Sequence, residues 1–166
     1  QECVSQCLRY LEEGALRVSS PEGAGANCGE VEMRDLQEWE VHPWVKQAIL
    51  LAMKMRTAET FKWELNGTIS SSHQNRIHAG VLGYHDKLDI RNDLAALGVR
   101  SVYGSVVREG AFISQGVILM PSFVNIGAWV GLGTMIDTWA TAGSCAQIGK
   151  NVHVAGGVGI GGVLEP

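Results

Sequence analysis

The stretch from Val106 to His153, VVREGAFISQGVILMPSFVNIGAWVGLGTMIDTWATAGSCAQIGKNVH, repeats every six residues. Set in hexads, its first positions are Val106, Phe112, Ile118, Val124, Val130, Ile136, Ala142 and Ile148. Its fifth positions are Gly110, Gly116, Ser122, Ala128, Thr134, Ala140, Ala146 and Val152. A period held through eight hexads marks a parallel β-helix, a narrower prescription than any single motif supplies. Each hexad is one short strand plus a corner, and three hexads close one triangular coil, so a strand pairs with its equivalent about eighteen residues on. The large first position then fills the prism, and the slim fifth position fits near a corner.

The sixth position lies next to the inward one and points outward, reading Ala111, Val117, Phe123, Trp129, Met135, Thr141, Gln147 and His153. Large apolar side chains on an outer face need a cover. Phe123, Trp129 and Met135, helped by Trp139, therefore point to coil faces packed against other subunits, and a triangular prism suits a threefold. The run AGGVGIGGVLEP, Ala155 to Pro166, departs from the hexad rule. It lacks the GxxxxGK[ST] pattern and strand-to-helix setting of a phosphate loop, and reads as a close backbone approach to a ligand or a loop leaving the coil.

Ahead of the coil the pattern is helical. Residues 1 to 18 read as a short amphipathic helix with Val4, Cys7, Leu8 and Leu11 on one stripe and Gly14 as its stop. Ser19 to Glu30, SSPEGAGANCGE, consists of turn formers and reads as a linker or loop. Leu36, Trp39 and Val41 give a brief extended piece, and Pro43 opens a second helix with Trp44, Ala48, Leu51 and Met55 on one side, Ile49 and Ala52 beside them. Thr57 to Gly83 reads as irregular apart from a strand at Phe61 to Leu65. A third helix is expected at Asp89 to Leu97, with Asp89 as N-cap and Gly98 as stop. This divides the chain into a mostly helical front domain, residues 1–104, and the coil, 105–166.

Net charge is −4, with no cluster of Lys and Arg, which argues against nucleic acid and anionic membrane as partners. No apolar run approaches the roughly eighteen residues a membrane span needs, and QECVSQCLRY lacks the layout of a secretory signal, so a soluble, cytoplasmic protein is expected. Cys3, Cys7, Cys28 and Cys145 are too scattered for a disulfide framework and read as reduced thiols. His73, His78 and His85 match no ligand spacing, and no metal site is expected.

Between Val106 and Pro166 the charged residues are Arg108, Glu109, Asp137, Lys150 and Glu165. Asp137 directly follows the inward Ile136, so its carboxylate faces outward from an apolar, hydroxyl-rich setting. There it reads either as an acid–base or amine-binding group, shielded by another subunit or domain, or as a solvated strand-end carboxylate. His153, alone in the coil, reads either as the base of an acyltransferase or as a structural histidine.

The blocks GALRV at 14–18, HPWVKQAILL at 42–51, VREGAFI at 107–113, MPSFVNIGAWV at 120–130 and GTMIDTWATAGSCAQIGKNVH followed by GGVGIGGVLEP resemble the bacterial tetrahydrodipicolinate N-succinyltransferases. The likeness is dense from residue 99 onward and patchy before it. It implies a left-handed coil, a homotrimer, and transfer of succinyl from the co-substrate succinyl-CoA to an amino-dicarboxylate in the diaminopimelate route to lysine. It also implies substrate binding by an Arg just before the coil and an Asp in the MIDTWAT block, which fall on Arg100 and Asp137 here, with Asp137 catalytic. A planar guanidinium suits a substrate carboxylate, and a carboxylate suits an amine that must be held and deprotonated. Chains of that family run on well past the position of Pro166, so the acyl-CoA site is expected largely outside this sequence, and this stretch by itself is expected to transfer little. Another CoA-dependent acetyltransferase of the hexapeptide class, or a non-catalytic β-helical scaffold, are the competing readings.

Overall fold

A computed structural model of the protein describes residues 2–27, 38–63 and 82–164. From residue 100 onward every strand is two residues long: β5 (Arg100–Ser101), β6 (Val106–Val107), β7 (Phe112–Ile113), β8 (Ile118–Leu119), β9 (Phe123–Val124), β10 (Trp129–Val130), β11 (Met135–Ile136), β12 (Thr141–Ala142), β13 (Gln147–Ile148), β14 (His153–Val154) and β15 (Gly159–Ile160), counting in chain order. They stack as three parallel sheets, β5-β8-β11-β14, β6-β9-β12-β15 and β7-β10-β13, the three walls of a triangular β-helix. Inside it Val107, Ile113, Leu119, Val124, Val130, Ile136, Ala142, Ile148 and Val154 form one continuous core, each large aliphatic side chain contributing roughly 1.5–3 kcal/mol by burial.

The expected columns are correct only from Phe123 onward. Before it, Val107, Ile113 and Leu119 point inward, while Val106, Phe112 and Ile118, expected inside, lie on the outer surface. The register shows why: Met135 pairs with His153, an offset of 18, but Ile118 pairs with Met135 and Phe112 with Trp129, offsets of 17. The corner between Leu119 and Phe123 has three residues, Met120, Pro121 and Ser122, where other corners have four. A step of five therefore joins Leu119 to Val124. Because side chains alternate with a period of two, one missing residue exchanges inside for outside in every strand before it. The same shift makes Ala111 and Val117 buried rather than outward, and makes Gly110 and Gly116 corner residues with positive φ.

The hexad rule also runs further than expected. The segment after His153 does not leave the coil, since Gly159 pairs with Thr141 and Ile160 with Ala142. Glycine serves close stacking at these corners: a Cβ on Gly131 would lie 2.8 Å from the carbonyl carbon of Gly149 in the next coil.

The front part holds two helices among its described residues, α1 (Glu2–Glu12) and α2 (Pro43–Met55). Gly14, at φ 72°, stops α1, which is shorter than expected. Ser19–Pro21, expected as loop, is strand β1 and pairs antiparallel with β2 (Trp39–Val41). A second antiparallel ladder joins β3 (Glu59–Trp63), close to the expected strand, with β4 (Leu82–Asp86). Helix α2 buries Val45, Ile49 and Ala52 against Leu8 and Leu11 of α1 and Ile126 of the coil, leaving Trp44, Leu51 and Met55 exposed. The helix carries two adjacent apolar stripes, and periodicity does not choose between them. The slimmer stripe, with Ala52 at its end, is the one packed on the neighbours.

The expected helix at Asp89–Leu97 is absent. Arg91 N–H donates to the Val107 carbonyl and Glu109 N–H to that of Asp89, so this segment runs as an extension alongside the coil. The Asp89 carboxylate accepts from Ile90 N–H at 2.7 Å, a bond to its immediate neighbour. A single turn follows, in which Val99 N–H donates to the Leu94 carbonyl and Gly98 adopts φ 71°. A weak helix propensity yields here to tertiary backbone bonds.

One coil face is covered by its own chain. The Arg17 guanidinium lies 4.1 Å from the Trp129 ring centre, and Phe112 packs against the same ring at 4.1 Å. Arg17 Nη2 and Nε donate to Gln147 Oε1 at 3.0 and 3.1 Å. Trp129, expected to face another subunit, is thereby buried within the chain. The register shift has a direct test. Leu119→Ala should cost about 2–5 kcal/mol in urea unfolding and Ile118→Ala no more than about 1; the reverse order would restore an unbroken hexad count.

Candidate active site

Asp137 is the first residue after β11, at a corner of the coil, and its N–H donates to the carbonyl of Val154 one coil above. Its Oδ1 accepts from Thr138 N–H at 2.6 Å and from Thr138 Oγ1 at 3.3 Å, a local side-chain turn of the kind Asp favours. Its Oδ2 lies 3.1 Å from Nε2 of His153. The Asp137 side chain is 29% exposed and that of His153 60%. The Thr138 backbone N–H first, and the His153 side chain second, hold the Asp137 carboxyl below the usual carboxylate range. It is thus an ionised group with one oxygen anchored and the other aimed outward.

The coil register brings the two residues together. His153 stands directly above Met135, and Asp137 is the next outward position after Met135 on the same face. Arg100 belongs to the same sheet, in register with Ile118, which is in register with Met135. Arg100, Ile118, Met135 and His153 therefore form one outward column. At about 4.8 Å per strand, Arg100 starts roughly 10 Å below Met135. Arg100 and Asp137 thus lie on the same outer wall, two strands apart.

Trp139 marks the same corner. It is 77% exposed and holds φ 62°, where the residue at the same place after the strand is Gly157, at φ 76°, one coil above and Gly104, at φ 91°, two coils below. A bulky side chain in the left-handed region costs about 1–2 kcal/mol, and such strain concentrates at functional sites. In the sequence Trp139 is only an outer-surface residue and His153 a lone histidine. The coil places His153 above the Asp137 corner, because a separation of 16 is one coil less the two residues between successive outward positions.

Other candidates separate from this corner. Among the described residues no group of three His, Cys, Asp or Glu is arranged to hold a metal ion, and His73 and His78 lie outside them. Cys3, Cys7 and Cys145 are free thiols, while Cys28 lies outside the described residues. Burial pushes the Cys145 thiol up to about 12, which leaves it inert. A cavity of about 700 Å³ opens between the front part and the coil, but Arg100, Asp137 and His153 do not line it. Within its lining Arg56 pairs with Glu109 and Arg91 with Asp93. No helix among the described residues is long and apolar enough to cross a membrane.

These features define a hexapeptide-repeat β-helix with a polar corner site on one wall. Along its whole length the chain is similar to 2,3,4,5-tetrahydropyridine-2,6-dicarboxylate N-succinyltransferases. It is 48% identical over 172 residues to that of Polynucleobacter asymbioticus, with 100% of this chain and 53% of the relative covered. It is 44% identical over 172 residues to that of Variovorax paradoxus and 42% identical over 166 residues to that of Rhodopseudomonas palustris, covering in each case 100% of this chain and 52% of the relative. The family described as Tetrahydrodipicolinate N-succinyltransferase N-terminal matches residues 1–55. The chain spans about half the length of these curated relatives.

Two outcomes follow from the corner. A carboxyl whose folded value lies below its unfolded one stabilises the fold above the unfolded value, and that contribution fades as pH falls through the folded value. The Tm difference between wild type and Asp137→Asn should therefore shrink on acidification through the carboxylate range, and a constant difference would contradict the assignment. Trp139→Gly, measured by urea unfolding, should leave stability equal or raise it by up to about 1 kcal/mol, because it relieves the left-handed backbone; a clear loss would show that the Trp139 side chain is structural.

Proposed function

We propose that the protein carrying this chain transfers a succinyl group from succinyl-CoA to the amino group of a 2-amino-6-oxopimelate derived from tetrahydrodipicolinate, in the diaminopimelate route to lysine. The observation that carries this reading is an ionised Asp137 at an outward corner on the same sheet as Arg100, in a chain 48% identical to an enzyme of that name. Arg100 binds one substrate carboxylate through its planar fork. Asp137 receives the substrate ammonium and draws its proton away, freeing the nitrogen lone pair. The nitrogen then attacks the thioester carbonyl: the N–C bond forms, the C–S bond breaks, and the proton the nitrogen loses on becoming an amide goes to the departing sulfur, so that coenzyme A leaves as the thiol. Backbone N–H groups at glycine-rich corners suit the transient oxyanion.

A left-handed coil, a homotrimer in which neighbouring subunits shield the corner, and residence in the cytoplasm belong to the same reading. So does the division at residue 104. The acyl-CoA half of the site is assigned to the portion of the relatives that this chain does not span.

The 3.1 Å contact between His153 and Asp137 favours one competitor, an acetyltransferase with His153 as base. In that case His153→Ala abolishes turnover while Asp137→Ala leaves it intact. The deciding measurement is thiol release from succinyl-CoA by the full-length protein, with and without L-2-aminopimelate. Acceptor-dependent release is expected, and its absence sinks the transferase reading. Arg100→Ala should raise KM for the amino-dicarboxylate about 10- to 100-fold, the loss of one or two charge-assisted hydrogen bonds, with KM for succinyl-CoA unchanged.

A further inference from the structure

We propose that His153 is a positioning residue for Asp137: it holds the outward carboxylate oxygen in the orientation that receives the substrate ammonium. This role rests on the transferase reading.

The geometry divides the work between the two carboxylate oxygens. Thr138 anchors Oδ1 from its own side through N–H and hydroxyl. That local bond sets where Oδ1 lies but leaves the carboxylate plane free to swing about it. The second tether comes from a different coil, where His153 Nε2 reaches Oδ2. An ionised carboxylate only accepts hydrogen bonds, so Nε2 is the donor.

Stability is a poor explanation for the contact. Both side chains are substantially exposed, and an exposed pair of this kind contributes little to folding. Its place is what distinguishes it: the bond ties the Asp137 carboxylate, beside the Arg100 column, to the next coil, and β14 is held there independently, Met135 pairing with His153 and Ile136 with Val154. The imidazole thus projects from a backbone that does not depend on the side-chain bond.

The test compares His153→Ala and His153→Gln in the full-length protein, Gln keeping a side-chain N–H donor. Ala should raise KM for L-2-aminopimelate about tenfold, equivalent to about 1.4 kcal/mol, with KM for succinyl-CoA unchanged and kcat lowered less than KM is raised. Gln should recover most of the loss. A separate readout needs no turnover: the Asp137 carboxyl, followed by carbon NMR, should titrate at higher pH in His153→Ala than in wild type, since one of the bonds holding it down is gone. An unchanged Asp137 titration, unchanged kinetics, or equal loss in Ala and Gln overturns the proposal. So does loss of turnover in His153→Ala with turnover kept in Asp137→Ala, which makes the imidazole the base. A wild type without acceptor-dependent thiol release overturns the functional reading instead, and the carboxyl titration alone then decides whether His153 sets the state of Asp137.

Discussion

Each strand of the coil is two residues long, so none could hold its place alone, and the ladder between successive coils supplies what length does not. Every coil gives its outer backbone groups to the coil above and below, and each sheds one large side chain per wall into a shared interior. Interior packing and ladder register are coupled, because a strand that slips by one residue exchanges its inward and outward side chains. The chain shows how tightly that coupling works. It loses one residue at Met120–Ser122, and the fold keeps all three ladders by shortening that corner rather than by breaking a pair. Pro121, which has no N–H to give, sits in the shortened corner, and its carbonyl accepts from Trp139 in the next coil at 2.7 Å.

The front part leans on the coil rather than standing beside it. Leu8, Leu11, Val45 and Ile49 share a core with Ile126 and Cys145, and Arg17 is sandwiched between Trp39 and Trp129 at 5.3 and 4.1 Å. The wall β7-β10-β13 is therefore an internal surface. The wall that carries Arg100, Met135 and His153 stays outward, which is why the polar corner can serve chemistry at all.

That corner combines a cost with a use. Trp139 occupies a backbone region that suits glycine, which does not help the coil stand, and beside it Asp137 keeps a charge among apolar and hydroxyl residues. The combination is explained if the corner is built to receive a charged molecule, with the Thr138 and His153 bonds holding the carboxylate ready.

Much of this was legible in the residues. A six-residue period of large and slim side chains admits a β-helix and little else, since only stacked short strands repeat at that interval. The outward position of Asp137 followed from its place next to Ile136, and the resemblance singled out Arg100. Three things were decided only in three dimensions. The five-residue step is invisible because Val106, Phe112 and Ile118 are as apolar as Val107, Ile113 and Leu119, so either column could fill the prism until pairing selected one. The buried side of α2 was ambiguous for the same reason, with two apolar stripes on one helix. And the tie between Asp137 and His153 joins residues 16 apart in the chain, which local patterns cannot link; the coil's own rise places one above the other, and the ladder, not the side chains, makes them neighbours.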